Sequence, residues 1–297
     1  MVTDLTTLFC SVDDFCQTFE PHLQKSLLVS GEIKRRRVRT LSLSEIMTIV
    51  ILFHVSRFRD FKHFYINLQF THHKAFPRLV SYNRFIELMP SSLVALCAYL
   101  NSRKGECSGI QFVDSTSIIV CKNKRIFNHK VFSGIAQRGK NSMGWFFGFK
   151  LHIVVSDTGE LLAFKLTPGN TDDREPVTDL SEGLFGKLIG DKGYISKILF
   201  ETLFATGLQL ITPIRSNMKN KLMPYLDKLL LRKRSIIETI NDQLKNISQI
   251  EHTRHRSIWN FMVNLIAGLI AYTHQTKKPG IRLNQAGFDD ERDLIAL

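Results

Sequence analysis

Alternating apolar residues between positions 148 and 167 constrain the fold of this chain most strongly. In GFKLHIVV, Phe149, Leu151 and Ile153 alternate with small or polar residues. SDTGE then supplies a turn, and LLAFKLT alternates again. This pattern predicts a β-hairpin.

The segments around this hairpin predict a mixed sheet. An earlier strand is predicted at 110–120, and the later pattern predicts a helix at 173–182, a strand at 186–190, a helix at 195–206 and a strand at 208–213. The resulting order, βββαβαβα, resembles the ribonuclease H-like fold, in which helices flank a mixed sheet and acidic residues meet at one sheet edge. We therefore expect an α/β domain of this kind.

The first hundred residues predict a different, all-α module. Helix signals cover 12–29, 42–53, 60–70, 81–89 and 91–101, and Gly31, Pro77 and Pro90 lie between them. We predict a helical basic domain at 1–105, a catalytic α/β domain at 106–276 and a peripheral tail at 277–297.

The charge of the chain favours a nucleic-acid partner. It has 40 Lys and Arg residues against 27 Asp and Glu residues, for a formal net charge of +13. A short stretch concentrates this charge in Lys34, Arg35, Arg36, Arg37 and Arg39. We expect this stretch to bind a phosphate backbone, although a solvated charged loop has the same composition.

A second candidate DNA contact follows Ser81, which could cap a helix and place Tyr82, Asn83 and Arg84 in its first turn. That arrangement fits a recognition helix. It also fits an ordinary packing helix with a solvated Arg84, which is the interpretation we favour.

Other features argue against a secreted or membrane protein. The five cysteines form no CxxC pair, which favours reduced thiols in the cytoplasm. The apolar runs at 46–53 and 261–272 are shorter than the roughly 20 residues of a membrane span, so we expect buried helices. The N-terminus has acidic residues where a signal peptide has basic ones, and we expect no targeting segment.

Three carboxylates are the candidate catalytic residues. Asp114 interrupts a predicted strand, where a charge is unfavourable unless it has a function. Asp191 follows a predicted strand, and Glu238 lies in the predicted helix RKRSIIETINDQLK. Strand ends carry the chemistry of many α/β proteins, and magnesium prefers such oxygen ligands. Three such acids can hold two magnesium ions.

The helix around Glu238 presents two cations on the same face, Arg234 and Lys245. A face with a cation, an acid and a cation suits a metal ion with a phosphate. A surface ladder of ion pairs would give the same pattern.

These residues resemble a known family. Arg234, Glu238 and Lys245 match the Arg-Glu-Lys part of the Tyr-Arg-Glu-Lys motif of bacterial insertion-sequence transposases of the DDE type. VDST, GFKLH, TPGNTDD and GDKGY match as well, so the resemblance covers roughly 110–272. Leu231 stands where the motif has Tyr.

The resemblance implies that Asp114, Asp191 and Glu238 form the catalytic triad and hold two Mg²⁺ ions, for which Mn²⁺ can substitute. It implies binding of double-stranded DNA at terminal inverted repeats, metal-assisted hydrolysis, and transfer of the 3′-OH ends to target DNA. A homodimer would hold the two ends. Arg234, Lys245 and Lys192 would contact phosphates. A metal-dependent nuclease of the same fold and a non-catalytic DNA-binding regulator are the alternatives.

We interpret the remaining polar and aromatic residues as structural. Asp172 and Asp173 are expected to cap the next helix, although Asp173 could also reach the edge of the site. His152 is expected to be packed and hydrogen-bonded. Further expectations are a basic turn that faces DNA at His252 and His255, and core positions for Trp145 and Trp259.

Overall fold

The computed structural model describes residues 4–31, 40–216, 218, 222–251 and 255–281. They form two compact units. The helical unit comprises the described residues up to Arg103 together with Gln243–Thr276. The sheet unit comprises Lys104–Asp242 and the described residues from Lys277 onward.

The helices in the described residues are α1 (Leu5–Val29), α2 (Leu43–Val55), α3 (Phe61–Thr71), α4 (Tyr82–Leu88), α5 (Leu93–Ser102), α6 (Val177–Leu180), α7 (Lys197–Ala205), α8 (Tyr225–Lys233), α9 (Ser235–Asn246) and α10 (Ile258–Thr273). The strands are β1 (Ile110–Cys121), β2 (Gln137–Asn141), β3 (Gly144–Ser156), β4 (Leu161–Pro168), β5 (Gly186–Ile189) and β6 (Leu208–Ile211).

The N-terminal helical region is confirmed, and side-chain caps fix where several helices begin. α1 begins earlier than predicted because the carboxylate of Asp4 accepts a hydrogen bond from the Thr6 amide at 3.2 Å. Ser42 and Glu45 form a reciprocal capping box at the start of α2. Capping side chains therefore set the first residue of α1 and of α2.

Two apolar helices form the centre of the helical unit. Most residues of α2 and α10 are buried, as expected for the two apolar runs. The two helices pack against each other at Gly268, where a Cβ atom would lie 2.3 Å from the side chain of Ile250 and 3.4 Å from the ring of His54. The small residue allows this close approach.

The position of α10 corrects the predicted domain boundary. We predicted residues 243–276 as the end of the catalytic domain, but α10 packs with α2 and α5 in the helical unit. Its sequence is apolar around almost its whole circumference, so it must be covered on all sides, and the N-terminal helices cover it.

The stretch Tyr82–Ser102 is the one part of the described chain that is long and apolar enough to cross a membrane by length and composition. Of its most apolar 18-residue window, 39% is buried. A core helix of a soluble protein meets the same criterion, and a short 3₁₀ segment at Met89–Ser92 interrupts this one.

The second unit contains a six-stranded mixed sheet with the order β2-β3-β1-β5-β6, and β4 pairs with β3. β3 is antiparallel to β1, β2 and β4, whereas β5 is parallel to both β1 and β6. Apolar residues of the sheet, α6 and α7 form one buried cluster. This arrangement confirms the predicted ribonuclease H-like α/β fold.

The sheet unit differs from the prediction in one strand and one helix. β2 was not predicted, because QRGKN has no apolar alternation. The helix predicted at 173–182 shrinks to the single turn of α6, since Asp172 forms a local turn with the Arg174 amide at 2.9 Å and Pro176 precedes the helix.

Two histidines of the helical unit are held in their neutral form. His54 is 2% exposed, and its Nδ1 atom contacts the carbonyl oxygen of Ser248. Burial lowers the pKa of His54 to about 4. Burial, together with the nearby His54, also lowers the pKa of His255 to about 4. Both side chains thus resist protonation in the folded unit.

We predict that the helical unit loses stability in acid. The folded pKa of His54 lies below its ordinary value of 6.5, so the unfolded chain binds more protons and stability falls as the pH drops from about 6.5 to 4. The loss for His54 is roughly 3 kcal/mol. Trp145 and Trp259 are the two tryptophans, so Trp259 fluorescence in a Trp145→Phe background reports unfolding of this unit.

The control variants are His54→Gln, which cannot titrate, and His22→Gln, which removes an exposed ring of the same unit. The first should flatten the pH dependence of unfolding, and the second should leave it unchanged. Parallel pH curves for His54→Gln and the parent would contradict the assignment.

Candidate active site

The parallel pairing of β1 with β5 brings two of the three candidate acids together. Phe112 pairs with Ile189 at the end of β5. Continued by two residues along both strands, this register brings Asp191 alongside Asp114. The backbone N–H of Gly190 still donates to the carbonyl oxygen of Ile211 at 3.0 Å, so the chain leaves the sheet only at Asp191.

Asp114 is half-buried among polar and charged neighbours. The pKa of its carboxyl group is raised to about 6, chiefly by burial and to a smaller extent by the nearby Asp191. The guanidinium of Arg234, the Ser115 amide and the Asn241 side chain act in the opposite direction. The Nδ2 atom of Asn241 donates to Asp114 Oδ2 at 2.9 Å.

Asp191 turns the backbone at the end of the strand. Its side chain caps the short 3₁₀ helix Lys192–Tyr194 and accepts a hydrogen bond from the Gly193 amide at 2.7 Å. This contact holds the carboxylate in place at the strand end.

The third acid, Glu238, lies in the first turn of α9 and is 54% exposed. Its carboxylate forms an ion pair with Arg234. Across the described residues, no group of three or more His, Cys, Asp and Glu side chains is arranged to hold a metal ion. In this structure Asp114 and Asp191 lie side by side, whereas the carboxylate of Glu238 is paired with Arg234.

Asp173 joins the site instead of capping a helix, which corrects our expectation. Its Oδ1 atom accepts a hydrogen bond from Ser115 Oγ at 2.8 Å and lies 2.9 Å from the Nζ atom of Lys150. The N-cap position of α6 is Pro176, without a side-chain cap. Asp172 does not cap α6 either, because it pairs with Arg174, which holds the pKa of Asp172 well below its usual range.

Tyr194 lies beneath these acids. Its side chain is 1% exposed and belongs to the buried cluster of the sheet unit. Burial raises the pKa of its hydroxyl well above the usual range, and the carboxylates of Asp114, Asp173 and Asp191 add to the effect. Tyr194 thus anchors the turn that carries Asp191.

The predicted DNA contacts differ in their surroundings. Lys192 is exposed beside Asp191. Lys245 lies 3.3 Å from the carboxylate of Glu251 in the helical unit, and Arg84 pairs with Glu87 at 2.8 Å. The stretch with Lys34, Arg35, Arg36, Arg37 and Arg39 lies outside the described residues.

Ser81 caps the helix that begins at Tyr82, with its Oγ atom 3.4 Å from the Arg84 amide. The ring of Tyr82 packs near Phe61 and Tyr65, at centroid distances of 6.4 and 6.0 Å. Asn83 and Arg84 are exposed. Arg84 as a DNA contact stays a prediction.

Several single-residue expectations can now be compared with the structure. His152 is fully buried and hydrogen-bonded to Thr167 Oγ1 at 2.8 Å, as predicted. The core positions for Trp145 and Trp259 were wrong, since they are 64% and 62% exposed. The ring of His255 packs against Phe261, and His252 lies outside the described residues.

Four residues at the site were missed in the sequence: Ser115, Lys150, Tyr194 and Asn241. Asn241 could have been found, because it follows Glu238 by three residues and so shares its helix face. Ser115 and Lys150 gave no comparable signal, since their partners come from other strands and loops.

The residues present fit divalent cations with hard oxygen ligands. Asp114 and Asp191 place two carboxylates side by side, which is unfavourable without a compensating charge. The Oδ1 atom of Asn241 is buried beside them and has no hydrogen-bond partner among the residues that the structure describes. Such an orphaned oxygen next to paired acids suits magnesium or manganese.

Comparisons with known proteins identify a family and relatives of this chain. A sequence family described as "Transposase DDE domain" matches residues 104–258. A Brucella ovis protein, named as a transposase for insertion sequence element IS6501, is 30% identical over 125 residues, which is 41% of this chain and 95% of that protein.

Two solved structures give weaker likenesses. The Mos1 transposase paired-end complex with the left transposon end has a TM-score of 0.22 at 12% identity, over 59% of this chain and 60% of that chain. The chain thus spans less than two thirds of that structure. The Mos1 mariner paired end complex with Mn has a TM-score of 0.24 at 12% identity, over 82% of each chain. These scores are too low to support an argument.

The family match covers more than half of the chain, and the alignment covers nearly all of the Brucella relative. This chain therefore belongs to the family of transposases with a DDE domain.

Proposed function

We propose that this chain is a metal-dependent transposase of a bacterial insertion sequence. It binds the terminal inverted repeats, cleaves DNA by hydrolysis, and joins the freed 3′-OH ends to target DNA by transesterification. The observation that carries the proposal is the pairing of Asp114 with Asp191 next to Asn241 of α9 and Arg234, the residue before α9.

Asp114, Asp191 and Glu238 are the proposed ligands of two Mg²⁺ ions, for which Mn²⁺ can substitute. Glu238 is included because Asn241, on the same face of α9, contacts Asp114. Divalent ions held there would activate the attacking oxygen, stabilise the leaving oxygen and neutralise the phosphate.

The surrounding side chains orient the acids and balance part of their charge. Asn241 fixes the orientation of the Asp114 carboxylate, and Arg234 offsets part of the negative charge. Lys192 is exposed beside Asp191 and is a proposed phosphate contact. Lys245 is a further proposed contact, although Glu251 pairs with it in this structure.

The proposed partner is double-stranded DNA, first the ends of the element and then the target. Joining two ends requires that both be held at once, so we propose a homodimer as the working form. The reaction takes place in the bacterial cytoplasm, on the nucleoid.

We predict that Asp191→Asn abolishes cleavage. The substrate is linear DNA with the sequences that flank the reading frame, incubated with Mg²⁺ or Mn²⁺. Cleavage should fall at least about 1,000-fold, since metal ions supply several kcal/mol of stabilisation in the transition state. DNA binding without metal should be unchanged.

The matched control is Asp179→Asn, which removes a 69% exposed carboxylate of the same unit. Cleavage at the parental rate by Asp191→Asn would sink the assignment. Cleaved ends that are never joined to a second DNA would identify a nuclease instead.

Asn241→Leu should weaken metal use while all three candidate carboxylates are kept. Loss of a residue that orients a ligand typically reduces metal affinity or activity about 10- to 100-fold. We expect cleavage to require a correspondingly higher Mg²⁺ concentration. Thr239→Ala, on the exposed side of the same helix, should leave the Mg²⁺ dependence unchanged. If Asn241→Leu cleaves with the parental Mg²⁺ dependence, Asn241 does not position Asp114.

Replacement of Arg35, Arg36 and Arg37 by Ala should lower DNA affinity and flatten its salt dependence. Each lost phosphate contact should reduce the slope of log affinity against log salt by about 0.9. Lys197→Ala is the control, because it removes one exposed cation that pairs with Glu201. An unchanged slope in the triple variant would exclude these arginines as phosphate contacts.

A further inference from the structure

One face of the β2–β3 hairpin has two exposed pairs of a cation with an aromatic ring. Arg138 and Lys140 are two residues apart on β2, so their side chains share a face. Lys140 lies opposite Trp145 in the β2–β3 register, with its ammonium 5.9 Å from the ring centroid. The guanidinium of Arg138 lies 5.9 Å from the ring centroid of Phe127.

The hairpin borders a cavity of about 460 Å³, within the range of sites for small molecules and nucleotides. Trp145, Lys140 and Arg138 line one part of it, and the loop Gly169–Asp173 lines another. Gly139 makes this close approach possible, because a Cβ atom there would lie 2.1 Å from the carbonyl oxygen of Gly169. The cavity is thus part of the fold of the sheet unit.

The cavity adjoins the candidate acids through shared residues. Gly193 lines it, and its amide donates to Asp191. Asp173 also lines it and accepts a hydrogen bond from Ser115, the residue after Asp114. A strand that enters the acid site would therefore pass close to this cavity.

The charges at the cavity favour a phosphate-bearing ligand. Its two acids are already paired, Asp172 with Arg174 and Asp173 with Lys150. In the described part of the chain, no ion pair involves Arg138 or Lys140. Their positive charge is available to a ligand.

The exposed aromatic surface beside the cavity suits the base of a nucleotide. Trp145 is 64% exposed, and Phe127 and Met143 nearby in sequence are 91% and 93% exposed. Aromatic faces between cations are the means by which proteins bind unpaired bases with little regard to sequence. A cross-strand pair that only stabilises the hairpin would need the same two residues but no cavity.

We propose that this surface, which we call the hairpin site, binds an unpaired nucleotide of the DNA strand next to the acids. The base stacks on Trp145, and the flanking phosphates contact Arg138 and Lys140. This inference rests on the proposed function, because it deepens the description of the same DNA substrate.

The test uses the full chain with Trp259→Phe, so that Trp145 is the only tryptophan. Its fluorescence is followed in EDTA, without cleavage, during titration with a thymidine decanucleotide and with an abasic strand of equal length. We expect saturable quenching by the decanucleotide and none by the abasic strand. Because it lacks the stacking base, the abasic strand should compete with the decanucleotide for the site about 5- to 100-fold more weakly.

Arg138→Ala and Lys140→Ala should each weaken binding of the decanucleotide and lower its salt slope by about 0.7. Asp179→Asn, which changes an exposed carboxylate outside the cavity lining, should quench as its parent does. Thymidine monophosphate should bind far more weakly than the decanucleotide, since it has only one of the phosphates.

Equal quenching by the decanucleotide and the abasic strand would overturn the proposal, as would the absence of saturable quenching. Equal affinity for thymidine monophosphate would assign the cavity to free nucleotides and overturn it too. These results concern only the hairpin site if the protein still cleaves DNA with Mg²⁺. Quenching without any cleavage would instead count against the proposed function.

Discussion

The parallel pairing of β1 with β5 determines the candidate active site. It brings Asp191 alongside Asp114, although 76 residues separate them in the chain. The turn after β5 is then held at two points, by the bond from the Gly193 amide to Asp191 and by the buried ring of Tyr194. A carboxylate on a backbone fixed in this way loses little freedom when it binds a cation, which favours tight binding.

Concentrating acids in this place has an electrostatic cost, and the neighbouring groups reduce it. Asn241 on α9 and Arg234, the residue before α9, compensate Asp114, while Lys150 compensates Asp173. The remaining imbalance is visible in the raised pKa of Asp114, about 6. The amphipathic helix α9 therefore serves packing on its apolar face and charge balance on its polar face.

The sequence was sufficient for features that depend on local pattern. Strand alternation predicted β3 and β4. The local contexts of Asp114 and Asp191 predicted two candidate acids, which the strand register brings side by side. Features that depend on tertiary contact could not be predicted. β2 has no apolar alternation, and Asp173 accepts a hydrogen bond from Ser115 instead of capping α6. Trp145 is exposed, although tryptophan is highly buried on average. Glu238 as a metal ligand stays a prediction.

The sheet register also sets which changes in chain length the fold can absorb. One residue added between Gly186 and Asp191 would turn every following side chain of that strand to the opposite face and separate the two acids. Residues 122–136 join β1 to β2 outside the ladder, so their length can vary without moving either acid. During evolution, insertions and deletions should therefore accumulate in the second segment and be eliminated from the first.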